Sequence, residues 1–286
     1  MSGTDEEAKR SEILERLEEL LDRKVPIDAL DALRSALDYP LQDQVELNRV
    51  ALGIDSNVFM RLAANPKSAD ILDYLPLHGA PIILPGQAIQ EFWNNRLTAV
   101  QTVSSSVKKD FDQLTKSAIK VDAQFGDFQA NVTSMLDNFE SEFGYIYDEN
   151  TTNNISKMLE ILEDQAHCYF VPRNRFCKFA EVRKLTMTPP GYKDSGHGDF
   201  FIWTDFLFGL LTCVQNGGEK STFDKVVILT NEKKPDWSIR GTPHPILIAE
   251  IHALFGTSFD LWDLDTFGSQ VQQALANGHA QRGRQR

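Results

Sequence analysis

Four carboxylates stand where short apolar runs of this chain give way to polar residues: Asp55, Glu91, Asp199 and Glu232. Asp55 closes the run Val50-Ala-Leu-Gly-Ile54, and Glu91 follows Pro81-Ile-Ile-Leu-Pro85. Asp199 opens the apolar segment Phe200–Val214, and Glu232 follows Val226-Val-Ile-Leu-Thr230. Taken singly, each has an ordinary explanation. An acid at a helix start complements the helix dipole, and a strand-end Asp forms a turn. Gathered at one place, four acids repel unless a hard cation such as Mg2+ or Mn2+ offsets them. Carboxylates around one or two such ions suit phosphoryl transfer, in which the ion activates water and stabilises a pentavalent transition state. Candidate substrate-side residues lie close by in sequence: Asn57, Lys193, Asp194, Lys233 and Asp236, with Lys234. Asn57 can orient a ligand carboxylate by hydrogen bonding. The lysines can reach phosphates, or else are solvated surface groups.

The elements that must position these groups are strands and helices in alternation. Val50–Asp55, Pro81–Pro85, Val226–Thr230 and Phe259–Leu264 read as buried parallel strands. Helical patterns separate them, which is the signature of an α/β fold with a central parallel sheet. In such a sheet the carboxyl edge is where ligands bind. Ahead of the first strand, Ile13, Leu14, Leu17, Leu20 and Leu21 share one helical face, and Ile27, Leu30, Leu33 and Leu37 another. This helical hairpin is either a partner-binding arm, serving a protein partner or a homo-oligomer, or a lid packed on the body. From Leu97 to Phe143, apolar residues recur every three or four positions, predicting one very long helix or a hairpin broken near Gly126-Asp127. The expected organisation is an N-terminal helical arm over residues 1–48 and a catalytic domain over 49–276. That domain contains an inserted helical module at 96–166, and residues 277–286 form a disordered basic tail.

Composition narrows the function classes. With 286 residues and 42% hydrophobic side chains, the chain buries a core without needing disulfides or metals. Its 29 basic and 41 acidic residues leave a net charge of −12, which argues against a protein that coats DNA. An enzyme that grips nucleic acid through a local patch remains compatible, and Arg173-Asn-Arg175-Phe-Cys-Lys178 with Arg183-Lys184 is one such patch. Three cysteines form no CxxC, and an odd, sparse count fits a reducing cytoplasm. The acidic N-terminus has no apolar core of a signal peptide, and no run is long enough to span a bilayer, so no membrane role is expected. The histidines show no HExxH spacing, and neither a GxSxG elbow nor a GxxxxGK[ST] loop occurs.

Three segments together resemble a known family. Thr188-Pro-Pro-Gly-Tyr-Lys-Asp194 followed by Gly198-Asp199 and Ile202-Trp203, the strand-end Asp55-Ser-Asn57, and Thr230-Asn-Glu-Lys-Lys-Pro-Asp-Trp237 are similar to the hallmarks of a PIN-like nuclease family. The resemblance covers about Ala51 to Leu264. It implies a three-layer α/β/α sandwich with a central parallel sheet. It further implies metal-dependent cleavage of nucleic acid, RNA more than DNA, by Asp55, Glu91, Asp199 and Glu232, with Mg2+ or Mn2+ as cofactor. A toxin or antiviral-defence setting comes with that family. Where the family carries paired aspartates, this chain has Asn231 and Glu232, and Asp236 is a substitute if Glu232 points away. Two other readings stay open: a catalytically impaired nucleic-acid-binding scaffold, and a phosphatase-like hydrolase acting on a small substrate.

Overall fold

The computed structural model describes residues 3–38, 45–98, 109–110, 113–114, 116–117, 127–143, 149–231 and 234–283. Glu232 and Lys233 lie outside the described residues, as do most of 97–126, including Gly126 of the expected break; Asp127 is a turn residue directly ahead of the helix Phe128–Phe143.

Two helices open the chain, α1 (Gly3–Leu21) and α2 (Ala29–Leu37). There follow β1 (Val50–Ile54), α3 (Ser56–Ala64), α4 (Ser68–Tyr74), β2 (Ile82–Pro85) and α5 (Gly86–Thr98). Next come α6 (Phe128–Phe143), α7 (Glu149–Gln165), β3 (Ala166–Tyr169), α8 (Arg173–Leu185) and α9 (Gly198–Asn216). The last part holds β4 (Lys225–Leu229), a small hairpin of β5 (Ser238–Ile239) and β6 (Thr242–Pro243), α10 (Pro245–Phe255), β7 (Ser258–Trp262) and α11 (Leu264–Gly283). Five strands form one parallel sheet in the order β3-β2-β1-β4-β7.

Strand alternation builds the three layers. Ala51, Ile83, Val226, Ile228 and Phe259 face one side, against α1, α8, α9 and α10. Val50, Leu52, Ile54, Ile82, Leu84, Val227 and Leu229 face the other, against α3, α4, α7 and α11. Gly53 lets α9 approach, since a Cβ there would come within 2.6 Å of the Phe206 ring. The result is the expected α/β/α sandwich around a parallel sheet.

Four features differ from the sequence reading. Ala166–Tyr169 is a strand, unnoticed because an edge strand reading Ala-His-Cys-Tyr exposes its two central residues and shows no apolar run. Arg173–Leu185 is a helix, with Phe176, Ala180 and Arg183 buried on one face at spacings of four and three. Helix α7, expected within an inserted module, buries Ile155, Met158 and Leu162 in the core of the second face. Residues 277–283, expected as part of a disordered tail, continue α11 despite Gly278 and Gly283.

The apolar face of α1 is covered by the body of the chain. Leu17 and Leu20 are fully buried, Arg16 donates to the Leu254 carbonyl at 2.7 Å, and Arg175 pairs with Glu18. Helix α2 packs beside α10 with Asp28 capping it, yet Leu30 and Leu37 remain 78% and 77% exposed.

Candidate active site at the carboxyl edge of the sheet

In this strand order the connections run outward from β1 to β2 and β3, then return to β4 on its other flank. The reversal opens a crevice between the carboxyl ends of β1 and β4, the place where open α/β sheets bind ligands. Asp55 leaves β1 there and caps α3, accepting a hydrogen bond from the Ser56 amide at 2.6 Å. From β4, the Thr230 hydroxyl donates to Asp55 Oδ2 at 2.8 Å. Asn57 brackets the pair: its Nδ2 donates to Asp55 Oδ2 at 2.7 Å, and its Oδ1 accepts from the Asn231 amide at 3.0 Å. Asn57 therefore orients a carboxylate and ties the two strand ends together.

Glu91 sits one turn into α5, and Gln87 one turn earlier donates to its Oε1 at 2.9 Å. The Ser56 hydroxyl lies 3.3 Å from Asp55 Oδ1 and 3.4 Å from Glu91 Oε2, so these two acids face each other across one hydroxyl. Glu91 Oε1 also presses on Gly198, where any Cβ would overlap it, which ties the first turn of α9 to the same place.

Asp199, the next residue, commits one carboxylate oxygen to other partners. Its Oδ2 accepts from Trp237 Nε1 at 2.9 Å and from Lys234 Nζ at 3.2 Å, and Lys234 also pairs with Asp194 at 2.6 Å. Asp236 is fully buried, where the sequence placed it on the substrate side. Its Oδ2 accepts from the Gly191 and Lys193 amides at 3.0 and 3.3 Å, so it moors the Pro-Pro-Gly-Tyr-Lys loop. Gly191 holds φ +91 and packs against Asp199 and Phe200, a position a side chain would strain. Lys193 is exposed on that loop.

Burial sets the electrostatics. It pushes the Asp55 carboxyl up to about 6; the Thr230 and Ser56 bonds oppose the shift and the Glu91 charge adds to it. Asp199 is also raised, by burial first and by the neighbouring Asp194 charge, with the Trp237 and Lys234 contacts pulling it back.

Of the four predicted acids, Asp55 and Glu91 come together, Asp199 stands alongside but faces Lys234 and Trp237, and Glu232 lies outside the described residues. Among the described residues no group of three or more His, Cys, Asp or Glu side chains is gathered closely enough to hold a metal ion. The donor set still fits a hard divalent cation. Asp55 and Glu91 offer carboxylate oxygens only, and a cation there would relieve both the burial of Asp55 and its repulsion from Glu91. The sequence reading quoted Thr230 and Trp237 in a motif without giving either a role, and it gave none to Asp205. Asp205 did leave a signal, because an acid in the middle of a mostly apolar helix must be paired when buried.

A family model described as a PIN like domain matches residues 51–249, more than two thirds of the chain. The chain belongs to the PIN-like domain family, and its sandwich is the nuclease-type fold of that family. No curated protein and no solved structure matches it significantly. Among the described residues no helix is long and apolar enough to cross a membrane.

Proposed function

We propose that the chain is a metal-dependent endonuclease that cleaves single-stranded RNA in preference to DNA, in a reducing, cytoplasmic setting. The observation that carries this reading is the Asp55–Glu91 pair at the sheet's switch point: two facing carboxylates, one buried, with neutral donors around Asp55. Asp55 and Glu91 would hold Mg2+ or Mn2+, with Asp199 and Glu232 completing the set. When bound, the ion supplies an activated water and charge neutralisation at the scissile phosphate. The residues of the chain do the rest. Asn57 and Thr230 fix the Asp55 carboxylate, Gln87 fixes Glu91, and exposed Lys193 offers a cation to the phosphates, a role the sequence motif extends to Lys233.

The test is incubation of end-labelled single-stranded RNA, duplex RNA and DNA with Mn2+, Mg2+ or EDTA. Internal cleavage of single-stranded RNA, dependent on the ion and lost in Asp55→Asn, is the expected result. Cleavage undiminished in EDTA would sink the mechanism.

One observation favours a second reading. Lys234 already places an ammonium on Asp199 and Asp194, where a cation would otherwise be needed, and Asn231 is neutral. These fit a nucleic-acid-binding scaffold without catalysis. Calorimetry separates the two: Mn2+ binding that Asp55→Asn abolishes supports the enzyme, and its absence in the wild type supports the scaffold.

A further inference from the structure

Phe170 follows β3 at the same carboxyl edge and keeps 47% of its surface exposed. The ring is nonetheless fixed. It lies over Gly86, the first residue of α5, where a Cβ would overlap three of its carbons. The guanidinium of Arg173 stands 5.4 Å from its centroid and 4.4 Å from that of Phe201, so one cation lies against two rings. Arg173 is itself locked by both oxygens of buried Asp205, at 2.8 and 2.9 Å. The same carboxylate accepts from the Val171 and Gln87 amides at 2.8 and 2.9 Å. Gln87 then joins this cluster to the acidic pair. Its Oε1 lies 3.4 Å from Arg173 and its Nε2 donates to Glu91 at 2.9 Å.

The chemistry of this patch selects its occupant. Asp205 cancels the charge of Arg173, so the patch does not recruit phosphate. It presents instead a rigid aromatic face backed by a guanidinium, which is matched by another flat π-system. A ring held in place loses little freedom when something stacks on it. Bases in a duplex are stacked on their neighbours, whereas those of a single strand are available.

We infer that Phe170, backed by Arg173 and Phe201, is a stacking platform for one unpaired base of a single-stranded nucleic acid whose backbone passes Glu91 and Asp55. This rests on the nuclease reading and adds to it how single strands are chosen. Since every base has a π-face, the platform is tolerant of sequence.

The test measures binding of fluorescent oligomers of about a dozen nucleotides to the full chain, with Ca2+ replacing Mg2+. The probes are single-stranded RNA, the same sequence in DNA, an RNA duplex, and RNA carrying one abasic residue. Phe170→Ala is expected to weaken single-strand binding about tenfold or more, and Phe170→Trp to preserve it. Duplex binding should not change, and a thermal melt confirms that each variant folds. Equal loss on RNA and DNA would identify the base as what is read, and loss on RNA alone would add the 2′-hydroxyl. The platform is overturned if Phe170→Ala binds single strands as the wild type does, or weakens duplex and single strand alike. A wild type that binds no nucleic acid overturns the nuclease reading beneath it, which is a different result.

Discussion

Two sets of buried carboxylates lie in this sandwich, and they are treated differently. Asp205, Glu250 and Asp260 each meet a basic side chain supplied by the fold. Asp205 holds Arg173 in a two-pronged pair, Glu250 holds both Arg183 and Arg23, and Asp260 pairs with Lys225 at 3.2 Å. Asp55 is buried as well, but its partners among the described residues are the neutral donors Ser56, Asn57 and Thr230, with an acid, Glu91, across the hydroxyl. A buried charge is costly unless it is paired. The fold meets that cost internally for three acids and leaves it unmet at the switch-point crevice. Asp236, buried and held by the Gly191 and Lys193 amides, shows that an acid can be structural without an ion pair among the described contacts. What singles out Asp55 is the second carboxylate, Glu91, facing it, and that is the ground for proposing that it receives a cation from outside.

The sharpest way to break the contrast is at Glu250. It accepts from Trp203 Nε1 at 2.8 Å and from the two arginines, one of them Arg23 just after α1. Arg183 also donates to the Pro189 carbonyl of the loop that Asp236 moors. Glu250→Gln leaves Arg183 buried beside a neutral amide and should lower stability by about 3–5 kcal/mol in chemical denaturation. Asp205→Asn should cost about 2–3 kcal/mol, less because Arg173 is partly exposed and can turn to water. Stability equal to the wild type in both variants would mean that these pairs are no different from the crevice acid.

Asp55→Asn should move the other way. Below about pH 4 the Asp55 carboxyl is protonated in both folded and unfolded chains and costs nothing. Between about pH 4 and 6 the unfolded chain releases its proton while the folded one keeps it, so stability falls as pH rises. Above pH 6 the penalty is constant. The variant should therefore be more stable than the wild type at pH 8, by about 1–2 kcal/mol, and indistinguishable at pH 3. Mn2+ at a hundred times its Kd should stabilise the wild type by about 2.7 kcal/mol at pH 7 with release of protons, and leave Asp55→Asn unchanged. Destabilisation of Asp55→Asn at both pH values would place Asp55 with the structural set.

The sheet was legible in the sequence for a physical reason. Three of its strands are fully buried, so runs such as Val50–Ile54 and Val226–Leu229 are continuously apolar. The edge strand Ala166–Tyr169 is half in water and carries no such mark. Site residues followed the same logic. That Asp55 and Glu91 meet was legible because strand ends, and the helix starts that follow them, are where parallel topology delivers polar groups. The role of Asp236 was not, because a buried acid that accepts from loop amides looks in sequence like any rim aspartate. The orientation of Asp199 depends on Trp237, a partner 38 residues away, and spacing alone does not show which way a side chain turns.

The smallest effect belongs to a pair that is two-pronged like Arg173–Asp205 but much more exposed. Arg49 reaches both oxygens of Asp224 from the turn before β1, with 46% and 49% of the two side chains exposed. The pairing holds the Asp224 carboxyl below the ordinary range, so its contribution is present above the unfolded value and fades as pH falls. In water, however, both charges are already solvated and screened by salt, and holding two long side chains together costs entropy. Asp224→Asn should leave the melting temperature within measurement error at physiological ionic strength, with at most a small drop at low salt. The comparison with Asp205→Asn sets an exposed two-pronged pair against a buried one whose carboxylate also accepts from the Val171 and Gln87 amides. If Asp224→Asn destabilised the chain as much as Asp205→Asn does, burial would not be what sets the cost of an unpaired charge here. The cation-binding argument for Asp55 would then lose its footing.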